Sequence, residues 1–250
     1  MKTLWCLHGN LQQPEVWNDL TQKLQVRDHT LQIRWVNLWE TLDNDCWAWA
    51  DAFCKTVVAA AEGSQNYLLG YSLGGRLAWH ALIAQSELWT GAVIVSAGIA
   101  DGLQREEYLS RDRTWAKRFL TEPWSELLTE WDALPVFCGR SCTIPRPAAD
   151  FDRQKIARAF EAYSTGRMDD LTQRLQLLSV PVTYVTGSDD RRYCQLGQAL
   201  SFQCPSLSHI EVADAGHRVP WEQPEMFRSI LRKILSLRGT ELSTPTEAFE

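Results

Sequence analysis

The stretch Gly70-Tyr71-Ser72-Leu73-Gly74-Gly75-Arg76 sets a hydroxyl among residues that carry almost no side chain. It follows the apolar run Tyr67-Leu68-Leu69 and precedes Leu77-Ala78-Trp79-His80-Ala81-Leu82. A serine with glycines two residues to either side, where a strand becomes a helix, fits the G-x-S-x-G turn that lifts its hydroxyl clear of the backbone. The turn is so tight that those neighbours must be bare, and the helix that follows aims its positive end at the reacting centre. Such a serine can attack a carbonyl or take up a proton, and either task requires a base and an acid to orient that base.

Five histidines are available: His8, His29, His80, His209 and His217. Only His217 sits in a loop, Asp214-Ala215-Gly216-His217-Arg218-Val219-Pro220, after a late strand and before a closing helix. It completes the order serine, acid, histidine. His80 falls inside the helix after the serine and His209 opens a strand, so packing accounts for both, and His29 lies in a polar stretch. The acid is expected just past the strand Val182–Thr186, where Asp189 and Asp190 are adjacent. Asp190 is the better placed, three residues beyond Gly187, with room for the loop to turn back toward His217. Asp214 is too near His217 in the chain and reads as a loop cap. After the first strand, Leu7-His8-Gly9-Asn10 can turn the backbone N–H of Asn10 toward the same point as the N–H of Leu73, a pair that would form an oxyanion hole. His8 is then a structural residue beneath that loop.

The elements that must hold these groups are legible as alternation. Short apolar runs at Thr3–Leu7, Leu31–Val36, Tyr67–Gly70, Ala92–Ser96, Val182–Thr186 and His209–Val212 read as strands. Helical patterns at Trp47–Ala61, Leu73–Ala84, Cys194–Phe202 and Pro224–Leu237 lie between and after them. Strands this uniformly apolar, separated by helices, predict an α/β fold with a mostly parallel sheet covered on both faces. Residues 101–170 break the rhythm. They are charged, Trp-rich and helical in pattern, with prolines at 123, 135, 145 and 147, and read as a helical cap inserted between the two parts of one core, 1–100 and 171–238. Residues 239–250 are polar and read as a flexible tail.

With 250 residues the chain is long enough for one domain with a sizeable core. A net charge of −6 argues against a nucleic-acid or anionic-membrane partner. Nineteen of the 25 basic residues are arginine, which suits planar recognition of carboxylates. Seven cysteines, odd in number and scattered, read as reduced thiols. Cys138 and Cys142 alone are close together, and no second pair stands near them at zinc spacing, so no metal is expected. The N-terminal apolar run is shorter than the roughly 7–15 residues of a signal-peptide core, and the run at 91–100 falls well below the ~20 that span a bilayer. A soluble, cytoplasmic protein is expected.

Taken together, Leu7-His8-Gly9, Gly70–Arg76, Gly187-Ser188-Asp189-Asp190 and Ala215-Gly216-His217 resemble the α/β-hydrolases over nearly the whole chain. Finer detail resembles one branch, the MenH family of 2-succinyl-6-hydroxy-2,4-cyclohexadiene-1-carboxylate synthases. "GYSLGGR" carries Tyr71 and Arg76; "GSDDRRY" resembles the family's G-E-x-D-x-K-F; "AGHRVPWEQP" resembles A-G-H-x-x-H-x-E-x-P; and "EWDALPVF" resembles W-x-x-Q-P-V-F. Two departures stand out: the family's S-P-G-L reads here as Ala100-Asp101-Gly102-Leu103, and its cap glutamine is Leu134. With the strand before Leu7-His8-Gly9 as the first, the resemblance implies a sheet without the early strands of larger α/β-hydrolases, as is usual in this family.

The resemblance implies a cofactor-free lyase of menaquinone or phylloquinone biosynthesis that eliminates pyruvate from a small polycarboxylate. The catalytic set would be Ser72, Asp190 and His217, with serine as the proximal base. It also implies substrate contacts from Tyr71, Arg76 and cap arginines, Arg158 among them. For the first half of the cap, Arg111 is weighed against Arg113 and Arg105. Arg111, Trp115 and Arg118 share one helix face and could form a cationic–aromatic wall. Trp131 and Phe137 are either cap core or pocket wall. Two rivals remain: a carboxylesterase or C–C hydrolase with a nucleophilic serine, and a hydrolase-like binding module, disfavoured because serine, acid and histidine are all present in order.

Overall fold

The computed structural model describes residues 1–26, 28–60, 63–100 and 104–236. Asp101 to Leu103, part of the divergent Ala100–Leu103 stretch, lie outside the described residues, as do Ala61, Leu237 and the tail at 239–250.

Six strands form one sheet: β1 (Lys2–Leu7), β2 (Leu31–Val36), β3 (Gln65–Tyr71), β4 (Trp89–Val95), β5 (Val182–Gly187) and β6 (Leu207–Val212). Their order across the sheet is β2-β1-β3-β4-β5-β6, and every neighbouring pair is parallel. Alternate residues of each central strand feed opposite cores. Trp5, Leu7, Leu68, Ala92 and Ile94 pack on one side with α2 (Cys46–Ala60) and α3 (Leu73–Ala84). Leu4, Cys6, Leu69, Val93 and Val95 pack on the other with α1 (Asn18–Gln25) and a C-terminal helix at Pro224–Ile234. Burial on both faces is why these strands read as continuous apolar runs.

Between β4 and β5 the chain is helical: α4 (Arg105–Thr121), α5 (Trp124–Asp132), α6 (Arg153–Ala162) and α7 (Thr172–Gln176). No strand occurs there among the described residues. Its interior is an aromatic cluster in which Phe119 stacks on Phe160 at 5.4 Å and Trp131 meets Trp115 edge-on at 5.2 Å. After β5 come α8 (Arg191–Gln203), then β6, α9 (Val219–Glu222) and α10 (Pro224–Ile234). α8 begins three residues before the predicted Cys194. Its first turn, Arg191-Arg192-Tyr193, carries no apolar repeat and is set by the Asp190 carbonyl, which accepts from the N–H groups of Tyr193 (2.9 Å) and Cys194 (3.0 Å). β4 and β6 likewise start earlier than predicted, because backbone pairing with their neighbours extends beyond the apolar stretch.

Candidate active site

β1, β3, β5 and β6 all end on the same edge of the sheet, and the loops leaving them carry Asn10, Ser72, Asp190 and His217. Ligands in open parallel sheets bind outside these carboxyl ends. Ser72 bridges β3 and α3 with φ 51° and ψ −111°, a strained turn held by its N–H donating to Val95 O at 2.9 Å. Here the need for bare neighbours is literal. A Cβ on Gly74 would lie 2.5 Å from the carbonyl oxygens of both Leu7 and His8, so only glycine lets the elbow close against the loop after β1. A second glycine joins the other two loops: a Cβ on Gly187 would sit 2.3 Å from the carbonyl oxygens of Ala215 and Gly216.

The side chains of Ser72, His217 and Asp190 form a continuous hydrogen-bonded chain. His217 Nδ1 lies 2.7 Å from Asp190 Oδ2, and His217 Nε2 lies 3.2 Å from Ser72 Oγ. Asp190 and His217 are both 3% exposed. A buried carboxylate on Nδ1 fixes the tautomer with its proton there, leaving Nε2 to accept from the serine hydroxyl. Three rings hold the imidazole in place: Tyr193 at 5.1 Å, Tyr71 at 5.5 Å and Phe137 at 5.7 Å, the last edge-on. Burial raises the phenol pKa of both tyrosines, so they stay neutral.

Asp189 is placed elsewhere. It is exposed and ion-paired with Arg140, whose guanidinium holds its carboxyl below the usual range. Asp214 adopts φ 54° and its carbonyl accepts from Gln223 Nε2 at 3.2 Å, in keeping with a loop role. His8 is fully buried, with Nε2 accepting from Leu38 N–H at 3.1 Å and Nδ1 facing Gly9 O at 2.9 Å. Burial pushes its pKa down to about 4, so it is a neutral strut under the loop. The N–H groups of Asn10 and Leu73 have no hydrogen-bond partner among the described residues.

Ser72 and His217 open into a cavity of about 350 Å³ between the sheet edge and the helices that follow β4. Among the described residues, three guanidiniums (Arg76, Arg111 and Arg192) and one carboxylate (Asp112) line it. Arg76 Nη1 donates to Tyr163 O at 2.6 Å and Thr165 Oγ1 at 3.0 Å, and no carboxylate pairs with it among the described residues. Arg111 is gripped by Asp112 at 2.8 Å and lies over the Tyr108 ring. Asp112 in turn accepts from Ser164 Oγ at 2.6 Å. Trp115, Trp131 and Phe137 supply apolar wall.

Some expected residues are not brought to this cavity. Arg158 is exposed on α6, whose inward face presents Ala159 and Phe160 instead. Arg118 stacks on Trp115 but is tied outward to Glu122 and Glu130, so the wall expected from that helix face keeps Arg111 and Trp115 only. Arg105 donates to Gly166 O, and neither it nor Arg113 lines the cavity. Tyr71 lies beneath the histidine and borders a smaller neighbouring space. Conversely, Arg192 and Tyr193 escaped the sequence reading. The signal was their place in the first turn of α8, two and three residues past Asp190.

A serine elbow, a buried acid and a late histidine on loops from one edge of a parallel sheet define an α/β-hydrolase, and residues 6–230 match the model of the alpha/beta hydrolase family. The 2-succinyl-6-hydroxy-2,4-cyclohexadiene-1-carboxylate synthase of Serratia proteamaculans (strain 568) is 35% identical over 183 residues, covering 70% of this chain and 69% of that one. The like-named protein of Pectobacterium atrosepticum is 35% identical over 190 residues, 72% of this chain and 73% of its own. The chain belongs to this synthase family within the α/β-hydrolases. Its fold is shared with MenH from S. aureus, at a TM-score of 0.81 and 19% identity over 94% of this chain and 93% of that one. Among the described residues no helix is long and apolar enough to cross a membrane.

Proposed function

We propose that this protein eliminates pyruvate from 2-succinyl-5-enolpyruvyl-6-hydroxy-3-cyclohexene-1-carboxylate to give 2-succinyl-6-hydroxy-2,4-cyclohexadiene-1-carboxylate, a step toward menaquinone or phylloquinone. The observation that supports this, beside the family, is Arg76, which lines the cavity into which Ser72 opens, has no carboxylate partner among the described residues, and suits a substrate with several carboxylates. Ser72, His217 and Asp190 act as one base. Ser72 Oγ takes the proton from ring carbon 2, next to the succinyl carbonyl, while passing its own to His217 Nε2. The freed electron pair forms the C2–C3 double bond, the C3–C4 double bond moves to C4–C5, and the C5–O bond breaks. The departing enolpyruvate takes up a proton and becomes pyruvate. The N–H groups of Asn10 and Leu73 stabilise the enolate oxygen that develops on the succinyl carbonyl. Arg76, Arg111 and Arg192 hold carboxylates, Trp131 and Phe137 wall the ring, and Tyr71 supports His217. Residues 101–170 act as the cap over a core of 1–100 and 171–238. No bond to Ser72 forms, no cofactor takes part, and the protein works in the cytoplasm.

The test is incubation with that substrate while following pyruvate. Pyruvate should form without a burst, and rapid-quench mass spectrometry should find Ser72 unmodified. Rapid ester hydrolysis with a stoichiometric burst, an acylated Ser72 and no pyruvate would instead establish the esterase reading, which the fold alone does not separate from the lyase.

A further inference from the structure

Next to the main cavity lies a much smaller one, about 20 Å³, sharing Asn10, Ser72, Trp131 and Phe137 with it. Its remaining wall includes Gln12, Tyr71, Cys142, Arg146 and Arg218. About 10–15 Å³ accommodates one water, so this annex has room for one end of a small group and not for a ring. We propose that the annex is a carboxylate subsite, in which Gln12, Arg146 and Arg218 receive one carboxylate of a ligand whose body fills the main cavity. The inference rests on the polycarboxylate reading of the main cavity and adds residues to it.

Gln12 is the most telling of the three. It is 4% exposed, and its Oε1 accepts the Gly9 N–H at 2.8 Å, which fixes the orientation of the amide. The other end, Nε2, has no partner among the described residues. A fixed amide donor that faces a cavity without a protein partner is available to an acceptor on a ligand. Arg146 presents a similar deficit: its side chain is 8% exposed and its Nε is buried without a partner. Arg218, 5% exposed, lies over the Phe137 ring at 3.7 Å.

These two arginines share a single carboxylate, Asp132, which sits outside the annex wall; Arg218 Nη2 is 2.5 Å from it. The other acids nearby are occupied elsewhere. Glu222 accepts from the N–H groups of Gly216 (2.5 Å) and Arg218 (3.3 Å), and Asp189 pairs with Arg140. Among the described residues, the annex wall therefore offers guanidiniums and an idle amide donor, and no carboxylate. Fixed donors of this kind match a carboxylate entering from the Ser72 side.

The test titrates the purified protein with ¹³C-labelled pyruvate, observed by NMR, and compares variants. Gln12→Glu retains an acceptor for the Gly9 N–H but replaces the idle donor with a second carboxylate oxygen, so pyruvate binding should weaken by about tenfold or more. Arg146→Met should weaken it similarly and carries the same expectation if Gln12→Glu fails to fold by circular dichroism. Arg158→Ala, on the exposed face of α6 and lining neither cavity, should change it less than about twofold. Absence of saturable binding, binding in Gln12→Glu and Arg146→Met equal to that of the unaltered protein, or equal loss in Arg158→Ala would overturn the annex assignment. The two readings fail separately. Pyruvate binding lost in Gln12→Glu, without any turnover of the cyclohexene substrate by the unaltered protein, would leave the subsite standing and remove the reaction. Turnover with a KM unmoved by Gln12→Glu would do the reverse.

Discussion

At the residue scale, Asp190, His217 and Ser72 form one hydrogen-bonded run, and on the proposal that they act as a single base their losses should not multiply. Ser72→Ala should lower kcat by roughly 10³ or more, and His217→Ala comparably. The double variant should be little worse than either single one. Pyruvate release under saturating substrate measures this, and a single variant that keeps more than about a tenth of the activity would remove its residue from the proposed machinery. The arginines are to be separated by where they lie. Arg76 lines the cavity without a carboxylate partner among the described residues. Arg76→Ala should therefore cost about 10²-fold in kcat/KM, on the scale of a desolvated charge-assisted contact, and lysine should recover only part of it. Arg158→Ala, on the exposed face of α6, should change kcat/KM by less than about twofold. Equal effects in the two variants would mean that substrate lies elsewhere than in the 350 Å³ cavity.

At the element scale, the loop after β1, the serine elbow and the loops after β5 and β6 are fitted together through backbone, and glycine makes the fit possible. Gly74→Ala would press a methyl against two backbone carbonyls, neither of which can swing aside as a side chain could. The loop after β1 would have to move and would carry Asn10 with it. Destabilisation of about 1–3 kcal/mol is expected from such crowding, seen as a lower urea midpoint, together with at least a roughly tenfold loss of kcat. Unchanged activity in Gly74→Ala would argue that Asn10 N–H takes no part in catalysis. The contacts at this scale also explain what the sequence could and could not disclose. Leu31–Val36 and Leu73–Ala84 are observed as expected, since apolar runs and the glycine turn are local signals. Asp190 was separable from Asp189 because one residue of loop decides which carboxyl turns inward. The arginines were harder. A helix repeat places Arg111 and Arg118 on one face, yet Glu122 and Glu130 pull Arg118 away, and acids that come from the next turn and the next helix are not part of that repeat. Arg192 was missed for the complementary reason: it reaches the cavity only because α8 starts at Arg191, a boundary fixed by the Asp190 carbonyl and not by any apolar period.

At the scale of the whole molecule, the same packing that positions the site buries two histidines that take no part in it. His8 holds the loop after β1, and His80 sits within α3 with Nδ1 2.7 Å from Arg76 O and its ring edge-on to Trp47. Burial lowers the pKa of each from 6.5 to about 4. In the unfolded chain both would titrate near 6.5, so between about pH 4 and 6.5 the unfolded state binds more protons than the folded one. Stability must therefore rise with pH through that window and fall as the solution is acidified. Each histidine withdraws up to about 3 kcal/mol by pH 4, taking about 1.4 kcal/mol per pKa unit. His209, also lowered by burial, acts in the same direction. Carboxylates held low by their partners, such as Asp189 and Asp170, lose their contribution only at lower pH, which leaves the interval from 6.5 to 5 mainly to the histidines. Urea midpoints measured at pH 7.5, 6.5, 5.75 and 5 should be level at the top and drop progressively below 6.5. His80→Gln should flatten part of that slope, because glutamine cannot be protonated. A midpoint that stays constant down to pH 5 would mean that these histidines accept protons in the folded protein, and that neither is the neutral strut their burial implies.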